Sequence, residues 1–271
     1  MQLETLLVPF DVDRDDTPVA RSPRELVNLG LLDRLEEMGV TVRLRRVGVR
    51  SFEERETSVA SLARAVSRRV TRAVSRNRPV LVLTGGCLTA VGVVHGLQQA
   101  RQNLGVLWLD AHGDFQSPET TVSGYWDGMA LAAIAGRSLA GVYESIEFMP
   151  LSMHRIVHFG GRDLEPVELE DFERLKVLRL SPEPSEEQLD EAAARLRRAR
   201  ALYFHFDLDG LDPRDAPAVN LEVESGVRLE TLLKLVRQLP QPAVVTLSGA
   251  SFEGADPEEC QHELATCLRL I

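Results

Sequence analysis

Short apolar runs rich in β-branched residues recur along the chain as TLLVPF, VTVRLRRV, PVLVLT, GVLWLD, RIVHFG, LKVLRL, ALYFHFDLD and AVVTLS. Most are too uniformly apolar to alternate, the pattern of strands buried on both faces of a parallel sheet. Between most of them, apolar residues return every three or four positions, as on one face of a helix. One such segment is expected to start at Ser22-Pro23-Arg24-Glu25, with Ser22 as cap, Pro23 at the first helical position and Glu25 closing a capping box. Another, SEEQLDEAAARLRRAR, places Leu189, Ala192 and Leu196 on one face, acids early and arginines late, in accord with the helix dipole. The alternation predicts an α/β fold, a three-layer α/β/α sandwich around a mostly parallel sheet. With no Pro/Gly/Ser-rich linker and no internal repeat, it predicts one domain over residues 1–271.

The chain has 271 residues, 44% of them hydrophobic, enough for a deep core. Its start, MQLETLLVPFDVD, lacks a basic leader and reads as a first strand rather than a signal peptide. No run approaches the ~18 apolar residues that span a bilayer. Three cysteines, Cys87, Cys260 and Cys267, do not suggest a disulfide framework, so a cytoplasmic location is expected. A net charge of −10 argues against a nucleic-acid partner. Arg64, Arg68, Arg72 and Arg76 form a local basic stripe opposite Val59, Leu62, Ala63, Val66, Val70 and Ala73. Such a stripe is more often a solvated face or subunit contact than a phosphate site.

In open parallel sheets functional groups gather at the carboxyl ends of strands, and two ends here carry chemistry. GVLWLDAHGDF presents Asp110, His112 and Asp114 at alternate positions. ALYFHFDLDGLDP presents Asp207 and Asp209 on one side, by the two-residue strand period. Clustered buried carboxylates repel one another and resist ionisation. A divalent cation removes that conflict. Oxygen donors with one imidazole suit manganese, iron(II) or zinc, and so many carboxylates accommodate more than one ion. A single Asp is most simply a turn or helix cap; two such clusters are harder to account for that way. GxGxxG, P-loop and GxSxG patterns are absent from the sequence.

DAHGD and HFDLDGLDP resemble the two metal-binding signatures of the ureohydrolase family, which includes arginase, agmatinase, formiminoglutamase and guanidinobutyrase. PETTVSG resembles that family's substrate loop, HFGGRDLEP its GxRDxDP segment and VPFD its first strand. The resemblance implies an arginase-like sandwich, two manganese ions bridged by hydroxide, and a trimer or hexamer. It implies that Asp110 and Asp207 bridge the ions, that His112 and Asp209 complete one site, and that Asp114 ligates the other and orients the hydroxide.

The sequence departs from the family pattern at several points. Where the family carries His in a GGDH motif, this chain reads LTGGCLTAVG. Alignment on the Gly-Gly pair puts Leu88 at the ligand position; alignment backward from Gly92, the helix-packing glycine, puts Cys87 there. The second register is preferred, since helix packing fixes the spacing after the ligand. A Cys87 thiolate is a soft ligand and shifts preference from manganese toward zinc or iron; the alternative is an inert buried thiol. Asp127 stands where arginases carry a proton-shuttling His, and is either an acid catalyst or a cap on the helix that follows. Gln116 stands where arginase has an Asn at the amino-acid end of its substrate. Thr246 falls near the Glu that receives the guanidinium, which leaves Glu253 as a distant substitute.

Ser123, Tyr125, Asp163 and Glu165 are further candidates for binding the far end of a substrate, and the acids favour a cationic one. His205 is a candidate for supporting the metal ligands, although a satisfied core histidine is the simpler reading. His158 is expected to border the pocket, and His95, His154 and His262 to be structural. The expected function is metal-dependent hydrolysis of a linear C–N bond in a guanidino or amidino compound. Two alternatives stay open: a catalytically inert, regulatory protein of the same fold, and a single-zinc deacetylase-type amide hydrolase.

Overall fold

The computed structural model describes residues 2–12, 14, 16–48, 54–100 and 103–271. All eight apolar runs become strands: β1 (Gln2–Val8), β2 (Thr41–Arg46), β3 (Val80–Thr84), β4 (Leu104–Leu109), β5 (Ile156–Phe159), β6 (Leu178–Leu180), β7 (Ala201–Asp207) and β8 (Val244–Ser248). They form one parallel sheet in the order β2-β1-β3-β8-β7-β4-β5-β6. The central strands β3, β4, β7 and β8 are buried along their whole length, so their sequences have no reason to alternate. At one edge, β2 leaves Arg45 and Arg46 exposed, and such charges discourage pairing with another chain.

The sheet separates two cores, and strand parity decides which residue joins which. On one side Val82, Trp108 and Tyr203 pack under α3 (Arg55–Val74), α4 (Thr89–Ala100), α5 (Ala130–Ile134), α6 (Ala140–Ile146) and Phe172 of α7 (Pro166–Arg174). On the other, Leu83, Leu109 and Phe206 pack against α1 (Pro18–Asn28), α2 (Leu31–Glu37), α8 (Glu186–Leu196), α9 (Leu229–Val236) and α10 (Pro257–Leu270). By the same parity His205 and Asp207 lie on the Tyr203 side, and Thr246 and Ser248 are their partners in β8.

Helix α8 begins as expected, with Ser185 and Gln188 closing a capping box. The expectation for α1 is corrected: the helix starts five residues before Pro23 at Pro18, and Thr17 caps it by accepting from the Ala20 N–H at 3.1 Å. Pro23 therefore lies inside the helix and cannot donate to the Val19 carbonyl. The Ser22 hydroxyl donates to that carbonyl instead, at 2.8 Å. Helix α3 buries Val59, Leu62, Ala63, Val66 and Val70, while Arg64, Arg68 and Arg72 face outward and Arg76 lies beyond its end. Arg64 donates to the Ser145 carbonyl. Among the described residues, no helix is long and apolar enough to cross a membrane.

Candidate metal centre

The carboxyl ends of β3, β4, β7 and β8 are adjacent, and the chain places its polar donors there. Directly after β4, the Asp110 carboxylate accepts the His112 N–H at 2.8 Å and the Trp108 indole N–H at 3.1 Å. That turn brings the His112 Nδ1 to 3.4 Å from Asp110 and 3.3 Å from Asp209. Asp209 in turn accepts the Ala111 N–H at 3.2 Å, which ties the two strand ends together. His158 is fully buried, and burial holds its imidazole down at about 3, so the ring is neutral and donates Nε2–H to the His112 carbonyl at 2.8 Å. The backbone at Asp114 adopts a left-handed φ of 50°.

At the end of β7, Asp207 Oδ1 accepts the Asp209 N–H, while Oδ2 receives the Cys87 thiol at 2.9 Å and the Ser248 hydroxyl at 3.3 Å. Gly249 packs so closely here, at φ 75°, that a Cβ would stand 1.9 Å from Asp207 Oδ1. Cys87 thus faces the carboxylates, and the neighbouring Leu88 side chain joins the core. Gly92, from which the Cys87 register was drawn, touches Ala63 and Val66 of α3: a Cβ would meet both at under 3 Å.

The electrostatics match this crowding. Burial, then repulsion from Asp207, Asp114 and Asp110, pushes the Cys87 thiol well up. Burial and the neighbouring Asp209 raise Asp207 to about 7. Burial raises Asp110, Asp114 and Asp209 too, each also pressed by another aspartate. For His112 burial works downward, but hydrogen bonds to Asp110 and Asp209 win and push it up to about 12. A proton on His112 is thus the internal substitute for a cation. Asp114 Oδ2 is buried with no hydrogen-bond partner among the described residues, which fits a position meant for a positive ion.

Two donor groups emerge, each with ligand atoms within 4.8 Å of one another: Cys87, Asp110, His205 and Asp207; and Asp110, His112 and Asp209. They share Asp110. The thiol, imidazole and carboxylate donors fit divalent cations. Cys87, Asp110, His112, Asp207 and Asp209 open on a cavity of about 290 Å³, also lined by Asp114, Gln116, Ser123, Tyr125, Asp127 and Asp163.

The model of the Arginase family matches residues 6–251. The chain belongs to the arginase family. It is 30% identical to the arginase of Brevibacillus brevis over 236 residues, covering 81% of this chain and 79% of that one. Its fold is similar to that of Bacillus subtilis arginase, with a TM-score of 0.87, 23% identity and coverage of 99% of this chain and 96% of the other. It is also similar to Entamoeba histolytica arginase in complex with L-ornithine, with a TM-score of 0.89, 19% identity and coverage of 99% and 97%.

Within this arginase-family chain the remaining candidates take distinct positions. Asp127 is buried; its Oδ1 accepts the Leu88 N–H at 2.9 Å, and its Oδ2 has no hydrogen-bond partner among the described residues. It caps the turn after β3, not its own helix, correcting that alternative. Burial raises it to about 7. Gln116 accepts the Thr120 hydroxyl at 2.8 Å, and its buried Nε2 is without a partner among the described residues. Tyr125 donates its hydroxyl to Asp11 at 2.8 Å, so it shapes the wall. Ser123 accepts the Tyr125 N–H. Asp163 is largely exposed, 3.9 Å from His112 Nε2, and Glu165 caps α7 at the cavity rim.

Glu253 is an exposed residue beside Arg21, 3.9 Å away, and does not line the cavity; it is no substitute for a guanidinium-binding carboxylate. Thr246 is fully buried and accepts the Tyr203 hydroxyl. His95 bonds to Gln99, and His154 and His262 are exposed, all away from the cavity.

Two residues escaped the sequence reading. Glu168 accepts the N–H groups of Phe115 at 2.8 Å and Glu165 at 2.9 Å, clamping the Asp114 loop to α7. Its signal was the capping box of EPVE. Arg162 donates to the carbonyls of Asp209 at 2.8 Å and Val223 at 2.6 Å, fixing the loop beside the second carboxylate pair.

Proposed function

We propose that the protein is a metal-dependent hydrolase that cleaves a linear C–N bond in a guanidino or amidino compound. The observation that carries this reading is the pair of donor groups sharing Asp110 at the floor of one cavity. Cys87, Asp110, Asp114 and Asp207 would hold one ion, and Asp110, His112, Asp207 and Asp209 the other. Divalent ions there would supply Lewis acidity and a nucleophile at neutral pH. Manganese suits the oxygen-rich half; zinc or iron(II) suits the half with Cys87.

The protein's own residues then orient the substrate. Asp127 projects a buried oxygen with no protein partner among the described residues into the same cavity, where it receives a guanidinium N–H or returns a proton to the departing amine. Asp114 steadies the reacting carbon's new substituents. Gln116, Ser123, Asp163 and Glu165 face the far end of the ligand, and the two acids select a cationic tail.

The assay is urea release from a panel of guanidino compounds by metal-loaded protein. Urea from at least one supports the reading; none, with metal confirmed bound, overturns it. An inert protein of the same fold has one observation in its favour: Thr246 stands near the position of the guanidinium carboxylate and is sealed against Tyr203. A single-zinc amide hydrolase would bind one equivalent of metal, so metal count separates it. From the sequence we infer one domain in the cytoplasm, and by family likeness a homo-oligomer, a trimer or hexamer.

A further inference from the structure

We infer that His205 is a direct ligand of the ion held at Cys87, giving that position a sulfur–nitrogen donor pair that selects zinc-class ions over manganese. The assignment rests on the metal-centre reading above and puts His205 in the place given there to Asp114, so that Cys87, Asp110, His205 and Asp207 form a four-donor set.

The strand register sets the ring in place. His205 lies between Trp108 of β4 and Thr246 of β8, on the same face of the sheet as Tyr203 and Asp207. It stacks on Trp108 with centroids 3.7 Å apart and planes 14° from parallel, so the ring has little freedom to turn. A hydrogen-bond relay fixes which nitrogen carries the proton. The Tyr203 hydroxyl donates to Thr246 at 3.0 Å, so towards His205 Nδ1, at 2.9 Å, it accepts. Nδ1 therefore holds the ring proton, and the Nε2 lone pair is free.

The ring also stands among the other donors. A ring nitrogen of His205 lies within 4.8 Å of Cys87 Sγ and of the Asp110 and Asp207 carboxylate oxygens. Its polar neighbour at Nε2 is Ser248 Oγ, at a long 3.4 Å. A metal-binding histidine is usually oriented by a hydrogen bond to its other nitrogen, and Tyr203 makes that bond here. Thiolate with imidazole favours zinc, cobalt(II) or iron(II), whereas the neighbouring Asp110, His112 and Asp209 group keeps the oxygen-rich character that suits manganese. The two positions are then chemically unlike.

Cobalt(II) is the probe, added to full-length protein stripped of metal. Wild type is expected to develop a sulfur-to-cobalt charge-transfer band and intense visible bands of a four-coordinate ion. Zinc should abolish both and manganese should not. Cys87→Ser should lose the sulfur band, which separates Cys87 from Cys260 and Cys267. His205→Gln should keep the sulfur band, lose visible intensity and weaken cobalt binding by at least roughly tenfold. Tyr203→Phe, which leaves the ring and its stacking intact, should weaken binding by about tenfold and serves if His205→Gln fails to fold. A folded His205→Gln with wild-type spectrum and affinity overturns the assignment. So does Tyr203→Phe with unaltered affinity where His205→Gln does not fold. Manganese uptake without any sulfur band in wild type overturns it too, leaving the hydrolase reading intact, whereas no uptake of any divalent ion removes both.

Discussion

Loading the metal-free protein with divalent cation should expel protons, and the structure sets a lower bound on how many. Without metal the Cys87 thiol is raised by burial and neighbouring aspartates and is fully protonated at pH 7. His112, at about 12, is an imidazolium held by Asp110 and Asp209. Each must lose a proton before its lone pair can bind an ion. Asp207, at about 7, is half protonated at that pH and adds about half a proton more. His205, held near 3 by burial, is already neutral and adds none. Filling both positions at pH 7 should therefore release at least about two and a half protons. Overall affinity should rise about 300-fold per pH unit near neutrality, equivalent to ~3.4 kcal/mol. The sign is definite: groups protonated in the empty site make binding tighter as pH rises. Calorimetric titration in two buffers of different ionisation enthalpy counts the protons directly. Release of fewer than one, with two equivalents bound, would refute the reasoning, because neither the thiol nor the imidazolium would then be giving up its proton.

Three further outcomes can be checked independently. Burial raises Glu263 to about 8, against 4.5 for a free carboxyl, so its contribution to stability is complete below about pH 4.5 and is lost as pH rises through 8. Glu263→Gln keeps an acceptor for the Ala218 N–H; it should match wild type in urea melts near pH 4.5 and exceed it by up to about 5 kcal/mol above pH 8. Gly249→Ala would force a Cβ to 1.9 Å from Asp207 Oδ1 at a left-handed φ; melting should show a loss of ~1–3 kcal/mol, and metal affinity should fall at least roughly tenfold. Asp127→Asn keeps the Leu88 contact but cannot give up a proton, so kcat in the urea assay should fall about 10²–10⁴-fold with metal content unchanged.

Apolar content alone made the sheet legible, because its central strands are buried on both faces and nothing in them competes with that reading. The candidate metal donors were legible for a related reason: carboxylates crowded at alternate positions directly after an apolar strand are costly to bury unless a cation neutralises them. The start of α1 was not, since Thr17-Pro18 and Ser22-Pro23 both present a cap followed by proline, and local chemistry does not rank them. The ring environment of His205 was invisible because it is assembled from three strands. Trp108, Tyr203 and Thr246 become its neighbours only through register. Glu253 misled because the turn after β8 carries it outward to Arg21, a direction no spacing encodes.

The positions where this chain departs from its family are better understood as one linked change than as separate losses. The Tyr203 hydroxyl donates to Thr246, which is fully buried near the place where the guanidinium-binding carboxylate is expected. The same hydroxyl fixes His205, which stands beside Cys87 where the family's own histidine is missing. Thr246 thus belongs, through Tyr203, to the support of the His205 ring. A threonine there also leaves the substrate's positive charge to be met elsewhere, and among the described residues Asp114 and Asp127 each offer the cavity a buried carboxylate oxygen without a hydrogen-bond partner, Asp114 being the one assigned above to a metal ion. On this reading the guanidinium group enters from the Asp127 side. Under the proposed hydrolase reading, a substrate with a cationic tail toward Asp163 and Glu165 would then present its guanidinium group to Asp127.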